Sequence, residues 1–125
     1  MSVTRVETRP RNSLLLVMDP EGGAVPESMD GRSVAATESC LAFGTLSAAD
    51  GPTHVDVVDC GDFDGLPEGS WIAWEGTLVT FTGQLALVDV MGGILATRQV
   101  GSRVAVRLAV NDDSEPDRVS VIVGS

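Results

Sequence analysis

Apolar positions in this 125-residue chain alternate with polar ones far more often than they recur at helical spacing. Eight stretches read as strands: VTRVETR from Val3, SLLLVMD from Ser13, SVAATESCLAFGTL from Ser33, HVDVVD from His54, WIAWEGTLVTF from Trp71, QLALVDV from Gln84, SRVAVRLAV from Ser102 and RVSVIV from Arg118. No i, i+3, i+4 apolar stripe is sustained, and 14 glycines and 6 prolines interrupt the chain every few residues. This pattern predicts an all-β protein, a sandwich or barrel of about eight strands.

The pattern is written twice. Residues 15–40 laid on 85–110 match at Leu15/Leu85, Asp19/Asp89, Gly22/Gly92, Gly23/Gly93, Gly31/Gly101, Val34/Val104 and Ala35/Ala105, and HVDVVD resembles RVSVIV at an offset of 64. Two pseudo-repeated halves, about 1–60 and 71–125, therefore form one expected domain spanning 1–125, because the apolar face of one sheet can be covered by a second copy. On this plan both Gly-Gly pairs supply positive backbone angles at equivalent turns, and the segments at Val34 and Val104 become equivalent third strands. Ala48–Pro52 and Asn111–Asp113 then read as polar turns before the fourth strands. Alternation assigns Leu14, Leu16, Leu85, Leu87, Val104, Val106, Val119 and Val121 to the core.

Composition narrows the function classes. The longest apolar run, Leu14–Met18, is far short of the roughly 18 residues of a membrane span and shorter than a signal-peptide core. A cytoplasmic protein that is not bound to a membrane is expected. All 8 basic residues are arginine and tyrosine is absent, which suggests GC-rich coding and a bacterial source. The net charge is −10, and residues 19–75 hold twelve acidic residues against Arg32 alone. Such a field repels phosphate backbones, which argues against nucleic acid; it attracts basic proteins, or else it serves solubility with no dedicated partner.

Catalytic candidates are sparse. His54 is the single histidine, and Cys60, six residues on, lies about 20 Å along an extended strand. Cys40 could approach His54 only from a neighbouring strand, and no third orienting group presents itself. In a reducing cytosol Cys40 and Cys60 read as small apolar side chains. The stretch DCGDFDG, Asp59–Gly65, has aspartates in part of a calcium-loop pattern, but Cys60 and Trp71 stand where its first and last carboxylates belong. No metal site, no cofactor and no enzymatic activity are expected. Trp71 and Trp74 stand an odd number of residues apart, so on a regular strand they face opposite ways. One then belongs to the core, and the other lies beside the acidic loop as a candidate protein-binding hot spot; the equal alternative is that both turn to the core around a bulge or sheet end.

The run LPEGSWIAWEGTLVTFTGQLALVDV, Leu66–Val90, carries a proline-glycine turn, an aromatic strand, and G-x-L followed by G-x-L-x-L-x-D. It resembles a phrase of small bacterial β-sandwich proteins of the competence protein J type, a nuclease inhibitor, and of the toxin-immunity type. The resemblance implies a protein whose function lies in a surface that blocks a partner enzyme. The expected function is a non-enzymatic binding protein, an immunity-type inhibitor of a basic bacterial enzyme such as a nuclease. The expected contact residues are Asp56, Asp59, Asp62, Asp64, Glu68, Trp71 and Trp74. The rival expectation is a small-molecule or divalent-metal-binding barrel using the acidic loop 56–68.

Overall fold

The computed structural model describes residues 3–124; Met1, Ser2 and Ser125, the ends of the expected domain, lie outside the described residues. Ten strands are present among them: β1 Val3–Thr8, β2 Leu14–Met18, β3 Val34–Ala36, β4 Cys40–Gly44, β5 Thr53–Asp59, β6 Trp71–Val79, β7 Gln84–Asp89, β8 Ile94–Gln99, β9 Arg103–Val110 and β10 Arg118–Val123. They form two open five-stranded sheets, ordered β1-β5-β10-β9-β6 and β3-β4-β2-β7-β8. The architecture is thus an all-β sandwich, and the barrel alternative is not adopted.

Ten strands replace the expected eight for two local reasons. The segment SVAATESCLAFGTL folds back on itself as a hairpin, with Val34 opposite Phe43 and Ala36 opposite Leu41. The reversal is made by Thr37, whose backbone N–H donates to the Cys40 carbonyl and whose hydroxyl accepts the Ser39 N–H. Residues Ile94–Gln99, which fall between the expected strands QLALVDV and SRVAVRLAV, form β8 against β7.

Segments matched in the sequence lie beside one another, but each sheet takes strands from both halves, so the second half does not cover a sheet made by the first. β2 and β7 lie side by side and antiparallel, with Val17 directly opposite Leu87. β5 and β10 are parallel, with His54 beside Arg118 and Val57 beside Val121. The turns after β2 and β7 match in detail: the N–H of Gly22 donates to the Asp19 carbonyl and that of Gly92 to the Asp89 carbonyl. Each aspartate also accepts, on its side chain, the N–H two residues on, from Glu21 and Met91 respectively. Each pair supplies one positive angle and at different places, Gly23 with φ +153° in the first turn and Gly92 with φ +85° in the second. Gly93 is required for space instead, since a Cβ on it would come within 2.7 Å of the Asp89 carboxylate. Equivalence stops at the third strand, contrary to expectation, because Val34 lies in β3 of one sheet and Val104 in β9 of the other.

The main core fills the space between the sheets, with Leu15, Val17, Leu41, Phe43, Val55, Val57, Leu78, Leu85, Leu87, Val106, Leu108, Val119 and Val121 at its centre. In β2 the expected phase is reversed. Leu15 and Val17 face the core, while Leu16, flanked by half-buried Leu14 and Met18, joins Cys40, Ala42, Ala86 and Val88 in a second cluster on the outer face. That face is partly covered by the connection 19–33, whose Met29 packs on the cluster. The connection 60–70 runs likewise over the outer face of the other sheet. It leaves the Asp59 end and reaches Trp71 at the opposite end, passing with the Phe63 ring 5.7 Å from the Arg107 guanidinium.

Candidate functional site

A β-bulge decides how the two tryptophans are presented. In β6, Trp71 pairs with Val110 and Trp74 with Leu108, so one extra residue, Ala73, is absorbed between them. Both indoles therefore lie on the inward side, contrary to the alternation rule. Trp74 packs against the core as half-buried, and its ring lies over Gly76. Trp71 comes at the end of the strand, where the facing sheet runs out at the three-residue β3, and it stays 41% exposed. Ile72 beside it is exposed as well.

An open cleft of about 530 Å³ lies at this end of the sandwich. It is lined by Trp71, Ile72, Ala73 and Val110 from one sheet, by Val34, Phe43 and Gly44 from the other, and by Arg32, Ser33, Asp112 and Asp113 from the adjoining connections.

The acidic rim belongs to the β9–β10 connection, which is held in place by its own hydrogen bonds. Asp112 accepts the N–H groups of Glu115 at 2.8 Å and Ser114 at 3.1 Å, and these bonds hold its carboxyl below the usual carboxylate range. Asn111 donates to Asp117 at 2.7 Å. The carbonyls of Pro116 and Asp117 accept the N–H groups of Leu46 and His54, which ties the connection to the neighbouring segments. Sequence reasoning treated Asn111–Asp113 as a turn. The signal it passed over is the density of carboxylates in Asp112-Asp113-Ser114-Glu115-Pro116-Asp117.

The seven expected contact residues divide by location. Glu68 lies exposed three residues before Trp71, and Asp62 and Asp64 are exposed earlier on the same connection, Asp62 closing a short 3-10 turn at Cys60–Asp62. Asp56 sits on the outer face of β5, 3.6 Å from the well-exposed Arg5. Asp59 accepts from Nε of Arg98 at 3.3 Å. The Arg98 side chain is largely buried and also donates to Thr4 Oγ1 and to the Val57 carbonyl, both at 2.8 Å, so it bridges the two sheets along their β1–β8 side.

Groups with reactive potential do not converge. His54 is exposed on the outer face of one sheet, with Nδ1 3.7 Å from Glu7. Cys40 is buried on the outer face of the other, its Sγ 3.9 Å from Met18 Sδ. Burial pushes the Cys40 thiol up to about 11, which suppresses the thiolate needed for attack. Both cysteines are free thiols. Among the described residues no three His, Cys, Asp or Glu side chains are grouped to hold a metal ion, and no helix is long and apolar enough to cross a membrane.

No protein-family model matches the chain, and no curated protein matches it. Two solved structures share its fold. One is ComJ of Bacillus subtilis, described as an inhibitor of the DNA degrading activity of NucA, with a TM-score of 0.70 at 9% identity over 100% of this chain and 97% of that one. The other is described as crocagin biosynthetic gene J, with a TM-score of 0.55 at 7% identity over 98% of this chain and 95% of that one. The resemblance read from Leu66–Val90 to the competence protein J type is thus met in the fold of the whole described chain.

Proposed function

We propose that the protein is a non-enzymatic inhibitor that binds a basic partner enzyme, such as a nuclease, through the end of the sandwich bearing Trp71. The carrying observation is the meeting of exposed Trp71 and Ile72 with the acidic β9–β10 connection, in a chain of net charge −10. A large aromatic ringed by polar groups is the composition of an interface hot spot. The fold shared with ComJ, itself described as a nuclease inhibitor, supports the same reading. Free Cys40 and Cys60 agree with a reducing cytoplasm.

The proposed contact set is Trp71, Ile72, Glu68, Asp112 and Asp113; Asp62 and Asp64, which flank Phe63 over the outer face at Arg107, act through the field alone. Asp56 and Asp59, each beside an arginine, contribute to the field at a distance. Acidic charge of this kind accelerates encounter with a basic partner, and the acceleration is lost as salt screens it beyond about 8 Å.

The test is inhibition of DNA cleavage by a basic nuclease from the protein's own source, with association followed by stopped flow. Stoichiometric inhibition is expected, with an on-rate falling roughly tenfold or more between low and physiological salt. Asp62→Asn with Asp64→Asn should slow association and leave the melting temperature almost unchanged. An absence of inhibition, or an on-rate indifferent to salt, would rule the proposal out.

A further inference from the structure

Trp71 occupies a core position that the core does not fill. Its strand partner Val110 is buried, yet the facing sheet ends at Val34 and leaves the indole beside open space. Close-packed interiors do not leave a slot of this size beside an aromatic ring. Within the proposed binding role, we infer that one arginine side chain of the protein partner completes this slot. Its stem would lie on Val34, Phe43 and Val110, its guanidinium plane on Trp71, and its N–H groups would face Asp112 and Asp113.

The slot's chemistry selects that side chain. Apolar walls suit a methylene stem, and a long cationic residue buries its stem while its head reaches a polar rim. A flat guanidinium stacks on an indole face and pairs with carboxylates in a forked geometry, which a lysine ammonium does not match. The carboxylate of Asp112 is held in one orientation, because the N–H groups of Ser114 and Glu115 donate to its Oδ2 and leave Oδ1 for a ligand. Arg32, which also lines the cleft, makes no ion pair within 4 Å among the described residues. A resident cation repels further positive charge, so the slot favours a lone arginine over a polybasic segment.

The probe is the blocked tripeptide acetyl-Gly-Arg-Gly-amide, titrated by NMR while the two tryptophan indole N–H signals and the amides of residues 110–116 are followed. Saturable shifts at Trp71 and those amides are expected. Binding should be roughly tenfold weaker when citrulline replaces arginine, and weaker again in Asp113→Asn. An unmoved Trp74 signal would show that Asp113→Asn remains folded, and Trp71→Ala supplies a second variant. Equal binding of the citrulline peptide, or no shift at the cleft, would overturn the inference, whatever the nuclease assay shows. Arginine binding in a protein that inhibits no nuclease would uphold the slot and remove the inhibitor role. Full inhibition by Asp113→Asn after it has lost the tripeptide would overturn the slot's part in binding and leave the inhibitor role standing.

Discussion

The carboxylate of Asp19, at the close of β2, takes both the backbone N–H and the hydroxyl of Thr82, 63 residues along the chain in the β6–β7 turn. Asp19 is fully buried, so this contact ties the central strand of one sheet to a turn that joins the two.

That buried carboxylate should make the protein sensitive to acid. Burial by itself raises the Asp19 pKa, but the N–H groups of Glu21, Thr82 and Gln84 and the Thr82 hydroxyl lower it, with a net result below the ordinary value of 3.8. The folded pKa therefore lies below the unfolded one. The stabilisation is complete above about pH 4 and is lost as pH falls through the folded value. Asp19→Asn should cost about 1–3 kcal/mol at pH 7, and the gap to the parent protein should narrow in denaturant melts at pH 3.

Gly76 should not tolerate a side chain. A Cβ there would lie 2.7 Å from Cζ2 and Cη2 of the Trp74 ring, which is packed on the core and cannot swing aside freely. Gly76→Ala is expected to cost about 1–3 kcal/mol by overpacking. In a Trp74→Leu background the same change should cost much less, and a double-mutant cycle by chemical denaturation measures the difference.

Adjacent leucines of β2 should respond unequally. Leu15 is wholly buried between the sheets, whereas Leu14 is only half-buried at the rim of the outer cluster. Leu15→Ala should cost about 2–5 kcal/mol and Leu14→Ala clearly less, as read from urea melts.

The arginine that spans the sheets should matter more than its acidic partner. Arg98→Ala leaves Thr4, the Val57 carbonyl and Asp59 without their donor and should cost about 2–3 kcal/mol. Asp59 is some two-fifths exposed, so Asp59→Asn should cost less than about 1 kcal/mol. Hydrogen exchange in β1 and β8 should quicken in the arginine variant alone.

Why some of this was legible in the sequence and some was not follows from the range of each interaction. Strand alternation and polar turns are local, so β1, β6, β9 and β10 and the paired Asp19 and Asp89 turns could be read directly. The phase of β2 could not, because LLLVM is apolar at every position and the strand is covered on both faces. Neither could the bulge at Ala73, which shows itself only in the pairing of β6 with β9 and which turned the expected opposition of Trp71 and Trp74 into a shared side. In the candidate site, the aromatic strand and Glu68 stood out by composition. The approach of Asp112 and Asp113 depends on a connection 40 residues further on, and the pairing of Asp59 with Arg98 spans 39.

The place of β10 in its sheet sets the order in which this molecule can be made. It follows every other strand in the chain, yet it lies at the centre of its sheet, with β1 and β5 on one side and β9 and β6 on the other. Until Arg118–Val123 has been synthesised, those pairs share no ladder, and the edges of β5 and β9 that face β10 stay unpaired. The residues before Arg118 therefore cannot complete this sheet, and placing β10 between two waiting edges is a non-local event of the kind that slows β-rich folding. A chain halted before this strand would present two adhesive sheet edges to its surroundings. A peptide carrying RVSVIV, supplied separately, would be the natural piece to seal them.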